Sequence, residues 1–305
     1  MKNFLSVVII CCAALLSIPG AAFAGTIGDP SGNFTVGIGA NGELYDFSSN
    51  IGYMRNGDGY DPLSPGTPRD SWGVTANGVS AYADQAYYYG TSNLSSTVTL
   101  GTNSATVTST TTFGLQVKQV YQFAPSGNIL KIYTTLTNVG NSMATGVMFQ
   151  RDVDWDVSPT EFNENSFGNP VTGNVVDSSY YGFESPDPAA SYGLSCAAGC
   201  NQTGDLGGGI KLGLANLAPG ASESFLYLYG INLSGQNVNG LITEADGLGA
   251  YYWIGTQSSE NGAYPSLGTN SALIGVAAVP EPASFGFVVL GLAGLLACTR
   301  RRKNG

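Results

Sequence analysis

The sequence predicts an all-β ectodomain folded as an antiparallel β-sandwich, carried between an N-terminal signal peptide and a single C-terminal transmembrane helix. Three observations carry that prediction. Glycine occurs 43 times, and Thr, Ser, Asn, Tyr and Val fill the segments between glycines. Strands favour β-branched and aromatic residues, whereas turns favour Gly and Asn. Several segments alternate apolar and polar residues with period two, and almost none of the exported part repeats with helical period. Turn signals recur at short intervals, as an antiparallel sandwich requires. Only 10% of residues are charged and 43% are hydrophobic, so the chain can build a core and disorder is not expected.

In chain order, residues 33–38 form the first strand candidate, followed by 105–113 and 117–123. The turn Pro125-Ser126-Gly127-Asn128 then leads into residues 129–137. There Leu130, Ile132 and Leu136 share one face, and Lys131, Tyr133 and Thr135 share the other. Turn residues at 138–141 end that strand. In residues 146–157, Val147, Phe149, Val153, Trp155 and Val157 line one face. Met148, Gln150, Asp152, Asp154 and Asp156 line the opposite face, which reads as solvated with Phe149 and Trp155 in the core beneath it. Residues 210–217 precede the turn Pro219-Gly220, and residues 225–231 place Phe225, Tyr227, Tyr229 and Ile231 together. Residues 238–248 are the one helix candidate, and strands at 251–254 and 271–276 complete the set.

The two ends are targeting segments. Lys2 precedes an apolar run at 4–18, then the helix-breaking Pro19-Gly20, then Ala22-Phe23-Ala24. That order is a secretory signal peptide with an A-x-A site at Ala22 and Ala24, so the mature chain is expected to begin at Gly25. Ile10 before Cys11 argues against lipidation, because a lipoprotein site needs a small residue there. At the other end, Val279-Pro280-Glu281-Pro282 precedes residues 283–299, which are all apolar, small or hydroxyl-bearing, and then Arg300-Arg301-Arg302-Lys303. About seventeen residues is the lower limit for a helix that crosses a bilayer. Basic residues beside a span stay on the cytoplasmic side, and Pro280 and Pro282 keep the helix from extending back into the ectodomain. The chain therefore divides into residues 1–24, 25–277 and 278–305, the middle part long enough for one large β domain or two smaller ones.

With its three parts in this order, the C-terminal segment resembles the PEP-CTERM sorting signal of Gram-negative bacteria. The resemblance implies recognition by an exosortase, a membrane-embedded cysteine protease that cuts near Pro280-Glu281-Pro282, with Arg300, Arg301 and Arg302 inside. It also implies a setting of extracellular polysaccharide and biofilm. Expected partners are the Sec translocon, signal peptidase, the exosortase and extracellular polysaccharide. The expected destination, after transient anchoring, is the cell surface or the medium. A second stretch resembles an uncharacterised β module of secreted bacterial proteins. It runs from Leu136-Thr137-Asn138-Val139-Gly140-Asn141 through Arg151-Asp152-Val153-Asp154-Trp155-Asp156 to Pro159-Thr160-Glu161-Phe162-Asn163, with Leu217-Ala218-Pro219-Gly220 later. This likeness implies a β-sandwich and assigns no activity.

Five cysteines occur, but Cys11, Cys12 and Cys298 lie in the apolar end segments. Cys196 and Cys200 are left in the exported part, and an oxidising compartment makes a disulfide between them the simplest reading. Its short loop limits the stabilisation to about 2 kcal/mol. The exported part holds six Lys and Arg against twenty-one Asp and Glu, a net charge of −15. So acidic a surface repels nucleic acid.

The chain contains no histidine, which excludes Ser-His-Asp and Cys-His nucleophilic systems and His-ligated catalytic zinc. Gly207-Gly208-Gly209 lacks the lysine and helix of a phosphate-binding loop. Paired carboxylates also suit glycoside hydrolysis, but sequence gives no separation, and no enzymatic activity is expected. Asp152, Asp154 and Asp156 stand about 7 Å apart along one strand face, with Glu161, Asn163 and Glu164 in the following loop. Oxygen ligands of this kind suit Ca²⁺, and a solvated acidic face is the alternative. Gly57-Asp58-Gly59-Tyr60-Asp61 is a looser candidate loop. Tyr87-Tyr88-Tyr89, Tyr180-Tyr181 and Tyr251-Tyr252-Trp253 offer rings on which sugars stack, Tyr252 and Trp253 above all, against the alternative of ordinary surface tyrosines. The expected role is structural or adhesive. The alternatives are a carbohydrate-binding surface protein and a Ca²⁺-dependent or glycan-active module.

Overall fold

A computed structural model of the chain describes residues 23–84 and 89–279. The apolar run of the signal peptide with Ala22, the pair Tyr87-Tyr88, and Pro280 to Arg302 of the sorting segment lie outside the described residues. The first strands are β1 (Phe23–Gly28), β2 (Phe34–Gly39), β3 (Tyr53–Arg55), β4 (Asp70–Ala76), β5 (Val79–Asp84) and β6 (Thr91–Ser92). Next come β7 (Leu94–Leu100), β8 (Ser104–Thr111), β9 (Leu115–Phe123), β10 (Ile129–Asn138), β11 (Met148–Asp154) and β12 (Glu164–Pro170). The chain continues with β13 (Val175–Ser179), β14 (Ala198–Gly204), β15 (Gly207–Gly213), β16 (Ser222–Ile231), α1 (Val238–Gly247), β17 (Ala250–Gln257) and β18 (Ser271–Ala277).

These strands form a sandwich. One sheet has nine strands in the order β14-β12-β17-β18-β16-β10-β9-β8-β7, and its partner has six in the order β13-β15-β11-β4-β5-β6. A three-stranded sheet, β1-β2-β3, adds Phe34, Val36 and Tyr53 to the same core. Alternation puts Val117, Tyr121, Ile132, Leu136, Phe225, Tyr227 and Tyr229 of the large sheet inward, against Trp72, Val74, Phe149, Val153 and Trp155 from β4, β11 and the chain just after it. Phe149 stacks on Trp72 at 5.7 Å and meets Phe225 at 4.9 Å, so aromatic rings bridge the two sheets. One core cluster draws on residues from Ile27 to Val276.

The outer face of the large sheet carries its own small core. Leu241 and Ala245 of α1 pack on Leu226, Leu228, Leu273 and Ala277. Asn237 caps the helix, its side chain accepting from the Asn239 and Gly240 amides, which satisfies donors that the first turn leaves unpaired.

All nine strand candidates and the helix are present, with shifted ends. The candidate at 210–217 begins earlier, at Gly207, and leaves the sheet at Gly213. Several strands escape the alternation rule. Every residue of β4 is buried, so period two vanishes from Asp-Ser-Trp-Gly-Val-Thr-Ala. β12 and β14 are rich in Asn, Gly and Gln, residues that read as turns. The expected cleavage point after Ala24 falls inside β1, at a bulge between Phe23 and Gly25 in its pairing with β2.

The face of β11 bearing Gln150, Asp152 and Asp154 is not solvated. The segment at 180–192 crosses it and buries all three. Gln150 Nε2 donates to the Ser185 carbonyl at 2.6 Å and Lys211 Nζ to the Ala190 carbonyl at 2.5 Å. Arg69, fully buried, donates to the carbonyls of Gly182 and Glu184 and pairs with Asp84 at 3.2 Å. Glycine at 73 allows the close approach, since a Cβ there would lie 1.9 Å from the Pro186 carbonyl oxygen.

Candidate functional site

Asp154 ends β11 and Asp156 follows two residues on, while Asp205 sits in the turn between β14 and β15. Antiparallel pairing sets Asp154 opposite Gly207, and this register carries Asp205 to the same end of the sheet. Gly207 must be small there, because a Cβ would lie 2.2 Å from the Val153 carbonyl oxygen. One carboxylate oxygen from each of Asp154, Asp156 and Asp205 lies within 4.8 Å of the other two. Asp154 and Asp156 are each only 3% exposed, whereas Asp205 is exposed. Above them opens a cleft of about 270 Å³, bounded by Gly66, Thr67, Phe162, Tyr181 and Phe183, with Asp154 and Asp205 in its lining.

The electrostatics are unfavourable for three bare carboxylates. Burial, reinforced by Asp156 and Asp205, pushes the Asp154 carboxyl well above the ordinary range. Burial together with Asp205 and Glu161 pushes Asp156 up to about 7. Burial and then Asp156 push Glu164 up to about 8. Glu164 has folded back under the loop, where it accepts from the Val157 amide at 3.2 Å and the Leu206 amide at 3.4 Å. Asp154 and Asp156 each keep an Oδ1 that no donor reaches among the described residues. Arg69 lies near, but its nitrogens are committed to Asp84 and two carbonyls.

The structure rearranges the sequence-derived set. Asp152 stays apart from Asp154 and Asp156, deep under the covering segment, with Gln150 Nε2 donating to it at 2.8 Å. Burial, partly offset by Arg69, pushes its carboxyl up to about 7. Glu161 is half-buried beside the group and contributes charge without joining the three. Asp205 takes the place that sequence reasoning gave to Asp152. Its Gly-Asp setting reads as a turn, so only β11–β15 pairing reveals the proximity. In the looser loop, Asp58 is held by Arg55 at 2.7 Å and Asp61 by the Gly52 and Tyr53 amides at 2.8 and 2.9 Å. Those carboxylates are occupied by protein donors.

Of the aromatic candidates, Tyr252 is turned inward. Tyr252 is 3% exposed and donates to Ser178 Oγ at 2.7 Å, so its ring presents no face to a sugar. Trp253 is half-buried, edge-on to Phe167 at 6.0 Å. Tyr180 and Tyr181 are half-buried, and Tyr89 is exposed. Cys196 and Cys200 are disulfide-bonded with their Cα atoms 5.0 Å apart. Cys200 belongs to β14 of the large sheet, while the Cys196 amide donates to the Ser178 carbonyl in β13 of the other sheet at 2.7 Å. The bridge thus fastens the two sheets at one edge.

A second surface was not singled out by sequence. The outward residues of β7, β8, β9, β10 and β16 form two rows across five strands. One is Ser95-Thr110-Gln116-Thr137-Ser222, the other Thr97-Thr108-Lys118-Thr135-Ser224. Thr135 and Ser224 share a hydrogen bond at 2.9 Å, as do Thr137 and Ser222 at 2.8 Å. At the interstrand spacing, each row runs about 19 Å across a hydroxyl- and amide-bearing face. Lys118 stands in the second row and Lys131 lies on the same face of β10, so the local charge is opposite to that of the whole chain.

Comparison with known proteins places one part of the chain. Residues 278–302 match the family model of the PEP-CTERM protein-sorting motif. No curated protein matches the chain. Among solved structures, it is similar to a galactose mutarotase-like protein from Lactobacillus casei at 12% identity, covering 85% of this chain and 90% of that one with a TM-score of 0.38. It is also similar to a galactose mutarotase related enzyme from Lactobacillus acidophilus at 10% identity, covering 85% and 87% with a TM-score of 0.35. Likenesses at this level carry no argument about activity. The sorting motif implies an exported protein, transiently anchored by its C-terminal segment and processed by an exosortase, a membrane protein.

Proposed function

We propose that this chain, exported and sorted through its PEP-CTERM motif, serves as a non-catalytic structural or adhesive component of the cell surface or surrounding matrix. The observation that carries the reading is the hydroxyl face of β7 to β10 and β16. Hydroxyls and amides repeated at strand spacing offer many weak, parallel hydrogen bonds to a long hydroxylated polymer. Each is worth little alone, and their sum gives avid holding. The surface is open and regular, which suits a polysaccharide chain better than a single small ligand, since small ligands are bound in concave sites. Binding of polysaccharide through this face, and not through Tyr252 and Trp253, is the form in which the carbohydrate-binding alternative survives.

The test is co-sedimentation of the exported protein with insoluble neutral polysaccharide and with the matrix of the producing cells. Replacing Thr108 and Thr135 by Glu puts two carboxylates in the middle of one row. Binding is expected to fall about tenfold, the worth of one or two hydrogen bonds. Thr243→Glu, on the exposed side of α1, is expected to leave it unchanged. Equal binding by wild type and the double variant would overturn the assignment of this face.

A further inference from the structure

We propose that Asp154, Asp156 and Asp205 bind one calcium ion at the base of the cleft beside β11. Three carboxylate oxygens converge at the spacing that a shared hard cation requires. Oxygens that share a Ca²⁺ at about 2.4 Å can stand at most about 4.8 Å apart, and one oxygen from each of the three carboxylates meets that limit. Proximity of acids alone would not be enough. The independent sign is that two of the three side chains are buried, each 3% exposed, and each holds an Oδ1 with no donor among the described residues. A buried carboxylate oxygen without a partner is costly, and proteins ordinarily supply an amide, a hydroxyl or a cation. Arg69, the cation that acts on Asp154, is already engaged by Asp84 and by the Gly182 and Glu184 carbonyls.

The fold also supplies room and further oxygens. Gly66 and Thr67 stand at the cleft wall with backbone and hydroxyl oxygens, and the opening admits water to complete six to eight ligands. Gly66 takes φ +63, and a Cβ there would lie 2.8 Å from Phe162 Cε1 and 3.4 Å from Asp156 Oδ2, so the wall is shaped tightly around the acids. All the offered ligands are oxygen, and the chain holds no histidine, which favours Ca²⁺ over transition metals. Magnesium demands shorter distances and stricter octahedral geometry, so it should compete poorly. The ion would tie β11, the 62–67 loop and the β14–β15 turn, three segments distant in sequence. This inference stands apart from the polysaccharide face, and either can fail without the other.

The experiment uses the exported protein stripped with chelator and then titrated with Ca²⁺. Thermal unfolding and Tb³⁺ luminescence excited through the nearby aromatic residues are the two readouts. Saturable binding is expected with a Kd of about 10⁻⁴ to 10⁻³ M, as in extracellular modules, with a rise in Tm of about 3–8 °C at saturation. Asp205→Asn lies in an exposed turn and should fold, yet bind about tenfold more weakly, since ligand charge sets affinity. Asp156→Asn relieves repulsion and should raise Tm in chelator while abolishing the response to Ca²⁺. No Tm shift at 100-fold the expected Kd, or an undiminished Ca²⁺ response in both variants, would overturn the site. An equal response to Mg²⁺ would overturn its assignment to calcium.

Discussion

Arg151 is the residue that best separates what a sequence announces from what a fold requires. Alternation sets it on the apolar face of β11, between Phe149 and Val153, and there it is fully buried. It donates to Asp70, to Gln119 Oε1 at 2.6 Å, to Tyr229 Oη at 3.0 Å and to the Gly42 carbonyl at 3.1 Å. Asp70 in turn accepts from Tyr229 Oη and the Leu44 amide, each at 2.8 Å. Removing one partner strands a buried charge, so Asp70→Ala should lose about 3–5 kcal/mol in denaturant unfolding. Replacing Asp70 and Arg151 together by Leu and Met should cost less than Asp70→Ala alone. Nothing local in the sequence marks Asp70 as the partner, since 81 residues separate the two. The carboxyls of Asp152, at about 7, and Glu164, at about 8, make a second prediction at this scale. Both are raised above their unfolded values near 4, so the native state holds more protons between about pH 4 and pH 8. Their stabilising contribution is present below pH 4 and lost as pH rises through 7 to 8. In calcium-free buffer, Tm should fall from pH 5 to pH 8.5, and Glu164→Gln should flatten that fall.

Among the elements, those with an alternating or continuous apolar run were legible, β18 included though both its faces are buried, and those that mix polar or turn residues into the strand were not. Residues 129–137 emerged as β10 because alternate residues lie on the core, and 225–231 as β16 because Phe225, Tyr227, Tyr229 and Ile231 take the inter-sheet core while Leu226 and Leu228 meet α1. β4 hid because buried Asp70, Ser71 and Thr75 interrupt its apolar residues, and β14 because its Gly-Cys-Asn-Gln-Thr-Gly run carries no apolar stripe. The same reason concealed one of the three acids of the site: Asp154 and Asp156 come from an announced strand, Asp205 from a turn after an unannounced one. The Cys196–Cys200 bridge was legible, and its position between β13 and β14 gives it a role beyond its five-residue loop. Replacing both cysteines by Ser should cost about 2 kcal/mol, with faster amide exchange in β13 and β14 and little change in β9 or β10. Leu241 anchors α1 to the outer core, so Leu241→Ala should cost about 2–5 kcal/mol by thermal or denaturant unfolding.

Across the whole molecule, a single inter-sheet core and two targeting ends describe a body built to be exported and to stay folded outside. Composition made the class plain, because Gly, Thr and Tyr in such proportion leave few alternatives to antiparallel sheets. Composition could not reveal that a loop at 180–192 seals the acidic face, since that depends on Arg69, Gln150 and Lys211 reaching carbonyls far along the chain. The place of β18 has a consequence of its own. It lies between β17 and β16, near the middle of the nine-stranded sheet, and ends at Ala277. Only residues 278–282 separate it from the apolar run, a reach of at most about 20 Å even when fully extended. Until it is processed, so short a line keeps the end of β18 within about 20 Å of the apolar run. Processing anywhere within residues 278–302 severs the mooring beyond Ala277, the last residue of β18, so departure requires no unfolding.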